Sequence, residues 1–147
     1  QRISMMKKLK KRYPDLGFRN CEMEHGDSIL NSKEKKLLEA TIKNREILLQ
    51  AKIELSRKKL DHAKIGQLFF DHHKVLRDLL KISTDKIEKM IDVSMNAGAL
   101  GAKINGSGGG GCMFAYAPDN PQSVANAINK VGGHATIIHS GDGTRIA

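Results

Sequence analysis

Gly101-Ala-Lys-Ile-Asn-Gly-Ser-Gly-Gly-Gly-Gly-Cys-Met-Phe-Ala-Tyr116 is the stretch on which the fold of this chain turns. A short apolar segment leads into Gly106–Gly111, where five glycines and Ser107 fill six positions, and a second apolar segment, Cys112 to Ala117, follows. Ordering glycine costs backbone entropy, so a run this dense needs a reason. A hairpin turn is satisfied by one or two glycines. A loop that takes φ > 0 repeatedly can bring a ligand close and turn successive N–H groups toward phosphate oxygens. The composition favours this ligand loop over a flexible connection.

Working outward, the segments on either side read as strands, Leu100 to Ile104 and Cys112 to Ala117. Downstream, Asn120-Pro121 opens a short helix with proline at its first position, running to Val131 and closed by Gly132-Gly133. His134 to His139 reads as another strand. Ser140-Gly-Asp-Gly143 reads as a turn and Thr144 to Ala147 as a last short strand. Upstream the texture is helical. Ile3, Met6 and Leu9 share a face that ends at Tyr13-Pro14. Asn31 with Glu34 marks a helix start. A long helix to about Leu60 follows, with Leu38, Ile42, Leu49, Ile53 and Leu60 near one face. Asp61 caps the next helix, whose stripe is Ile65, Leu68, Phe69, Leu76 and Leu79. Ser83 caps a further helix carrying Ile87, Met90, Ile91 and Ser94, with Gly98 just past its end. Helices first, then β–β–α–β, predict an α+β fold: a ferredoxin-like antiparallel sheet packed against helices.

The 147 residues suffice for one domain with a core. The first residue is Gln1 and the chain is already helical there, so it reads as a piece of a longer protein, residues 1–147 being a single domain. No long apolar run suggests a membrane span or a secretion signal. Cys21 and Cys112 are the two cysteines, without metal-ligand spacing, which points to a reducing, cytoplasmic setting. The net charge of +9 raises a nucleic-acid reading. Residues 99–147, however, carry only Lys103, Lys130 and Arg145 against Asp119 and Asp142. The excess lies upstream, as in Lys7, Lys8, Lys10, Lys11 and Arg12, on helical faces with few aromatics, and reads as solvated surface rather than a nucleic-acid site.

Gly101-Ala-Lys-Ile-Asn-Gly-Ser-Gly-Gly-Gly-Gly-Cys112 resembles the third, C-terminal motif of the GHMP kinases, the group of galactokinase, homoserine kinase, mevalonate kinase and phosphomevalonate kinase. Phe69 to Leu80, Ile82-Ser83-Thr84 and Ile87 through Gly98-Ala-Leu-Gly101 resemble the family's run of helix, Ser-Thr cap, helix and glycine–alanine lead-in. The resemblance covers about residues 37–145. Leu38 to Arg45, with its Asn-Arg pair, Leu76-Arg77-Asp78 and Arg145 are most similar to galactokinase-type sugar kinases. Lys103-Ile104-Asn105, and a loop without an aromatic, depart from the Arg-Met-Thr lead-in and loop Phe of galactokinases. A heptose phosphate, another sugar or mevalonate therefore stays open as the acceptor. The family's phosphate-wrapping P-x-x-x-G-L-x-S-S motif has no match here.

The resemblance implies the C-terminal domain of an ATP-dependent kinase of galactokinase type that phosphorylates a sugar hydroxyl, with a heptose-phosphate or mevalonate kinase of the same family as the alternative. ATP and Mg²⁺ would be held mainly by an N-terminal domain of the same kinase, its partner. That domain would also supply the catalytic aspartate, leaving no catalytic residue and no metal ligand in this chain, and no activity in the chain alone. The site residues implied are Gly106, Ser107, Gly108, Gly109 and Gly110, near the ATP–substrate junction. They either donate to phosphate or only support the neighbouring phosphate loop. Lys103 is a possible phosphate contact. No nucleic acid or membrane is implied. A non-catalytic α+β ligand-binding module is the competing class. Among other residues, His72 reads as a core histidine and Cys112 as a buried, inert thiol. Gly66 reads as a close-packing point. Asp71-His72-His73 point in different directions on a helix and do not suit one metal. Asn44 and Arg45 either line a cleft or make helix–helix contacts.

Overall fold

The computed structural model describes residues 1–106, 108–139 and 141. Among these residues five α-helices and one β-hairpin follow in order: α1 (Arg2–Lys10), α2 (Ser32–Leu55), α3 (His62–Lys74), α4 (Asp85–Asn96), β1 (Gly101–Asn105), β2 (Cys112–Tyr116) and α5 (Pro121–Lys130). A 3₁₀ turn, Met23–Gly26, lies between α1 and α2, and α3 continues into a π-helical turn, Val75–Leu79. Local chemistry sets most boundaries. The Asn31 side chain accepts from Glu34 N at 2.9 Å while the Glu34 carboxylate accepts from Asn31 N at 3.1 Å, a reciprocal cap for α2. Asp61 accepts from Lys64 N at 2.9 Å to open α3. Gly98, at φ +102°, ends α4 in the left-handed region.

The α2 helix stops at Leu55, short of Leu60, where the Ser56 hydroxyl donates to Lys52 O at 2.8 Å and competes with the next turn. Its predicted stripe is only half used. Leu38 and Ile42 are buried, but Leu49, Ile53 and Leu60 are exposed, because the N-terminal cluster ends at Ile42. In α1, Met5 joins Met6 and Leu9 in that cluster and Ile3 faces out. The cap of α4 is Thr84 rather than Ser83: its hydroxyl accepts from Ile87 N.

β1 and β2 pair antiparallel, with Ala102↔Ala115, Lys103↔Phe114, Ile104↔Met113 and Asn105↔Cys112 in register. Strand alternation puts Ala102, Ile104, Met113 and Ala115 on one face. There they pack with Ile87, Met90 and Ile91 of α4 and Leu76 to form the second apolar core. On the opposite face the Phe69 ring of α3 meets Phe114 at 4.9 Å and Tyr116 at 5.6 Å, both edge-on. The α3 helix can come this close because Gly66 lies against Leu100 and Gly101, where a Cβ on either glycine would run into the other segment's backbone.

Two further sequence expectations fail. His134–His139 joins no ladder among the described residues: Ala135 N–H donates to the Asn129 side chain at 2.8 Å, which ties the segment to the end of α5, and Ile138 is 81% exposed. Cys112 is exposed rather than buried, since its strand position pairs with the exposed Asn105 at the rim of the loop. The predicted strand Thr144–Ala147 lies outside the described residues.

Candidate functional site

The hairpin delivers the glycine run as a loop closed by the Asn105↔Cys112 pair. All five glycines, 106, 108, 109, 110 and 111, have positive φ, from +79° to +120°. This region is cheap only for glycine, so the composition is a conformational requirement. The loop is seated rather than free. Gly109 N–H donates to Ile82 O at 2.7 Å. A Cβ on Gly108 would meet the Ile82 side chain, with Cβ, Cδ1 and Cγ1 at 2.7, 2.8 and 2.9 Å. The other side is open: a Cβ at Gly106, Gly109, Gly110 or Gly111 would meet nothing within 4 Å. The N–H groups of Gly106, Gly108, Gly110 and Gly111 find no acceptor among the described residues. Several donors without acceptors among the described residues, on a left-handed backbone, suit an anion. Ser107 lies outside the described residues.

Lys103 does not reach into the loop. Its Nζ donates to Ile104 O at 2.8 Å and lies 5.1 Å from the Phe114 ring centroid. Burial pushes its pKa down. Its neighbour His72 is half-buried, not a core residue, and its pKa is pushed down to about 4 by burial and then by the charges of Lys103, Arg2 and His73. The core histidine is the adjacent His73, which is fully buried with Nε2 2.9 Å from Glu88 Oε1. His73 shares a face with Phe70 and Gly66, one and two turns earlier, and that face packs inward. Arg45 is a structural tie: its guanidinium donates to Cys21 O at 2.7 Å, Arg19 O at 3.2 Å and Glu22 Oε1 at 2.7 Å. The Asn44 Oδ1 is buried without a partner among the described residues.

Beside the Ile82 linker lies a polar cluster that no motif in the sequence announced. Glu88 gathers His73, the Ser83 hydroxyl and, at 3.5 Å, Arg77 Nη1. Arg77 also grips Asp78 through two bonds at 2.8 and 3.1 Å. The available signal was the Ser83-Thr84 pair, two hydroxyls where one cap is enough.

A glycine-loop hairpin covered by capped helices makes an α+β domain. The family model for the GHMP kinases C terminal matches residues 49–134, and the chain belongs to that family. It is 43% identical over 105 residues to a mevalonate kinase of Thermococcus gammatolerans, covering 71% of this chain and 30% of that protein. It is 34% identical over 71 residues to a galactokinase of Mycobacterium bovis, covering 48% of this chain and 20% of that protein. The fold is that of Lactococcus lactis galactokinase, solved in complex with galactose, at a TM-score of 0.71 and 22% identity over 88% of this chain and 36% of that one. The chain thus spans about a third or less of the length of the curated relatives named here.

Proposed function

We propose that this chain is the C-terminal domain, residues 1–147, of an ATP-dependent kinase that phosphorylates the hydroxyl of a small molecule. The observation that carries the reading is the seated loop: five left-handed glycines, donors without acceptors among the described residues, and an open side. In phosphoryl transfer the protein positions two reactants and stabilises charge on the transferring oxygens, and backbone donors do this without side-chain bulk. ATP supplies the phosphoryl group and Mg²⁺ neutralises its charge; both are assigned mainly to an N-terminal domain, along with the catalytic base. Gly106, Gly108 and Gly110 offer N–H groups to phosphate. Gly109 N–H is spent on Ile82 and orders the loop. Ser107 would add a hydroxyl donor. Lys103 stiffens the hairpin, since it would have to leave the Ile104 carbonyl to reach a phosphate.

Mevalonate is the first acceptor to test, because the similarity to mevalonate kinases covers more of this chain at higher identity than that to galactokinases. The Lys103-Ile104-Asn105 lead-in, which departs from the galactokinase pattern, agrees with this. A sugar remains the second reading, supported by the galactokinase similarity. Neither the cytoplasm nor a carbohydrate role is needed for the proposal; among the described residues no helix is long and apolar enough to cross a membrane. The test is ADP release by the full-length protein with mevalonate, galactose and heptose phosphate in parallel. Turnover on mevalonate is expected, turnover on galactose alone selects the second reading, and no turnover on any small alcohol refutes both. The chain by itself is expected to be inactive in the same assay.

A further inference from the structure

The glycine loop owes its seat to one short linker, residues 80–84, between the π-helical turn and α4. The π turn closes with Leu80 N–H on Val75 O at 3.2 Å, and Lys81 then takes φ +54°, unusual for a residue with a side chain. This reversal places Ile82 between two partners: its N–H donates to Leu76 O at 3.1 Å and its carbonyl accepts from Gly109 N at 2.7 Å. A linker in that conformation is held only where its surroundings over-determine it.

Glu88 supplies the hold. Its Oε1 accepts from the Ser83 hydroxyl and from His73 Nε2, and its Oε2 faces Arg77. These partners come from the linker itself, the end of α3 and the π turn, the segments that lead into and out of Ile82. Thr84 already caps α4, so the Glu88 carboxylate is not needed to start that helix. His73 is fully buried and its Nδ1 has no partner among the described residues, so this ring gives its bond to Glu88 alone. We infer that Glu88 is a positioning residue for the glycine loop: through Ser83 and the Ile82 carbonyl it holds the loop in the shape that phosphoryl transfer uses. The catalytic half of this statement rests on the kinase reading above; the structural half does not.

The test compares Glu88→Ala and Ser83→Ala in the full-length protein labelled with [¹⁵N]glycine. Ser83→Ala cuts only the link to the linker and leaves His73–Glu88 intact, so it answers the question even if Glu88→Ala does not fold. Two glycine amides are read together: Gly109, bonded to Ile82 O, and Gly133, bonded to Ile128 O at 3.0 Å beyond α5. Gly109 exchange should quicken about tenfold in Glu88→Ala and a few-fold in Ser83→Ala, with Gly133 unchanged. With the acceptor found above, kcat should fall while KM stays within about twofold. Unchanged Gly109 exchange overturns the inference. So does equal quickening at Gly133, which would make Glu88 a general fold residue, and so does a loosened loop with unchanged kcat. If the unsubstituted protein phosphorylates nothing, the kinase reading fails by itself, and the two amides still decide whether Glu88 holds the loop.

Discussion

Gly108→Ala and Gly109→Ala should behave differently, although the two residues are neighbours with nearly the same φ, +82° and +79°. Both substitutions carry the left-handed penalty of an L side chain, about 1–2 kcal/mol. Only the first adds a clash. The new Cβ at 108 would lie 2.7 Å from Ile82 Cβ, well inside van der Waals contact, whereas at 109 it would meet nothing within 4 Å. Overpacking of this kind costs about 1–3 kcal/mol. Gly108→Ala should therefore cost about 2–5 kcal/mol and Gly109→Ala about 1–2 kcal/mol. Valine at either position should be worse, since a β-branched residue tolerates φ > 0 poorly.

The assay is kcat/KM of the full-length protein, with circular dichroism to establish that each variant is folded. A gap of about 1–3 kcal/mol between the two alanine variants corresponds to roughly a five- to hundredfold difference in kcat/KM if the loop's shape limits transfer. Ile82→Ala should rescue Gly108→Ala only in part. It removes Cγ1 and Cδ1 but leaves the Cβ that makes the shortest approach. Equal losses at 108 and 109 would refute the Ile82 seat. Folded valine variants with unchanged kinetics would reduce the loop to a connector and refute the functional reading with it.

Gly66→Ala should destabilise the fold by about 3 kcal/mol or more, because a Cβ there runs into the Leu100 backbone, which cannot yield as a side-chain tip can; a urea midpoint within error of the unsubstituted protein would count against the α3–β1 contact. Lys103→Ala should cost about 0.5–1.5 kcal/mol of stability through lost contact with Phe114 and change kcat/KM less than about threefold; a loss of a hundredfold would restore a phosphate role. His72, held neutral with its pKa pushed down to about 4, leaves the unfolded chain binding the extra proton first as pH falls. Its contribution is thus complete above about pH 6.5 and is lost progressively toward pH 4, about 1–2 kcal/mol after discounting for partial exposure. His72→Gln should flatten the stability–pH curve in that window, and parallel curves would show that His72 titrates normally.

Where a boundary is written by neighbours in the chain, the sequence shows it. Asn31 with Glu34, Asp61 and Pro121 each act within their own first turn, and all three open the helices they were expected to open. The glycine loop belongs to the same group, because a positive φ at five positions is a local demand that only glycine meets without strain. The failures share another origin. Extending the helical phase through Val75–Leu79 lines His72 up with Leu76 and Leu79, yet a π turn occupies those positions and shifts the helical phase of its own residues. Nothing local announces that turn, and the buried histidine is His73. Leu49 and Ile53 keep the helical period but lie beyond the last residue of the N-terminal cluster, and periodicity says which residues share a face, not what covers it.

The loop's seat is invisible in sequence for the most physical of reasons, since Ile82 and Gly109 lie 27 positions apart and meet through backbone atoms that carry no residue-type signal. Ser83-Thr84 illustrates the general case. As a string the pair reads as one helix cap. In the structure the two hydroxyls divide the work: Thr84 accepts from Ile87 N and starts α4, while Ser83 donates to Glu88 and fixes the residue before it. Exchanging the tasks would not serve, because a side chain that caps the helix cannot also reach back along the linker. The hydroxyl that reads as a redundant cap is the one that connects the α4 carboxylate to the glycine loop, so the cheaper substitution for helix stability, Ser83→Ala, should be the more costly one for the loop.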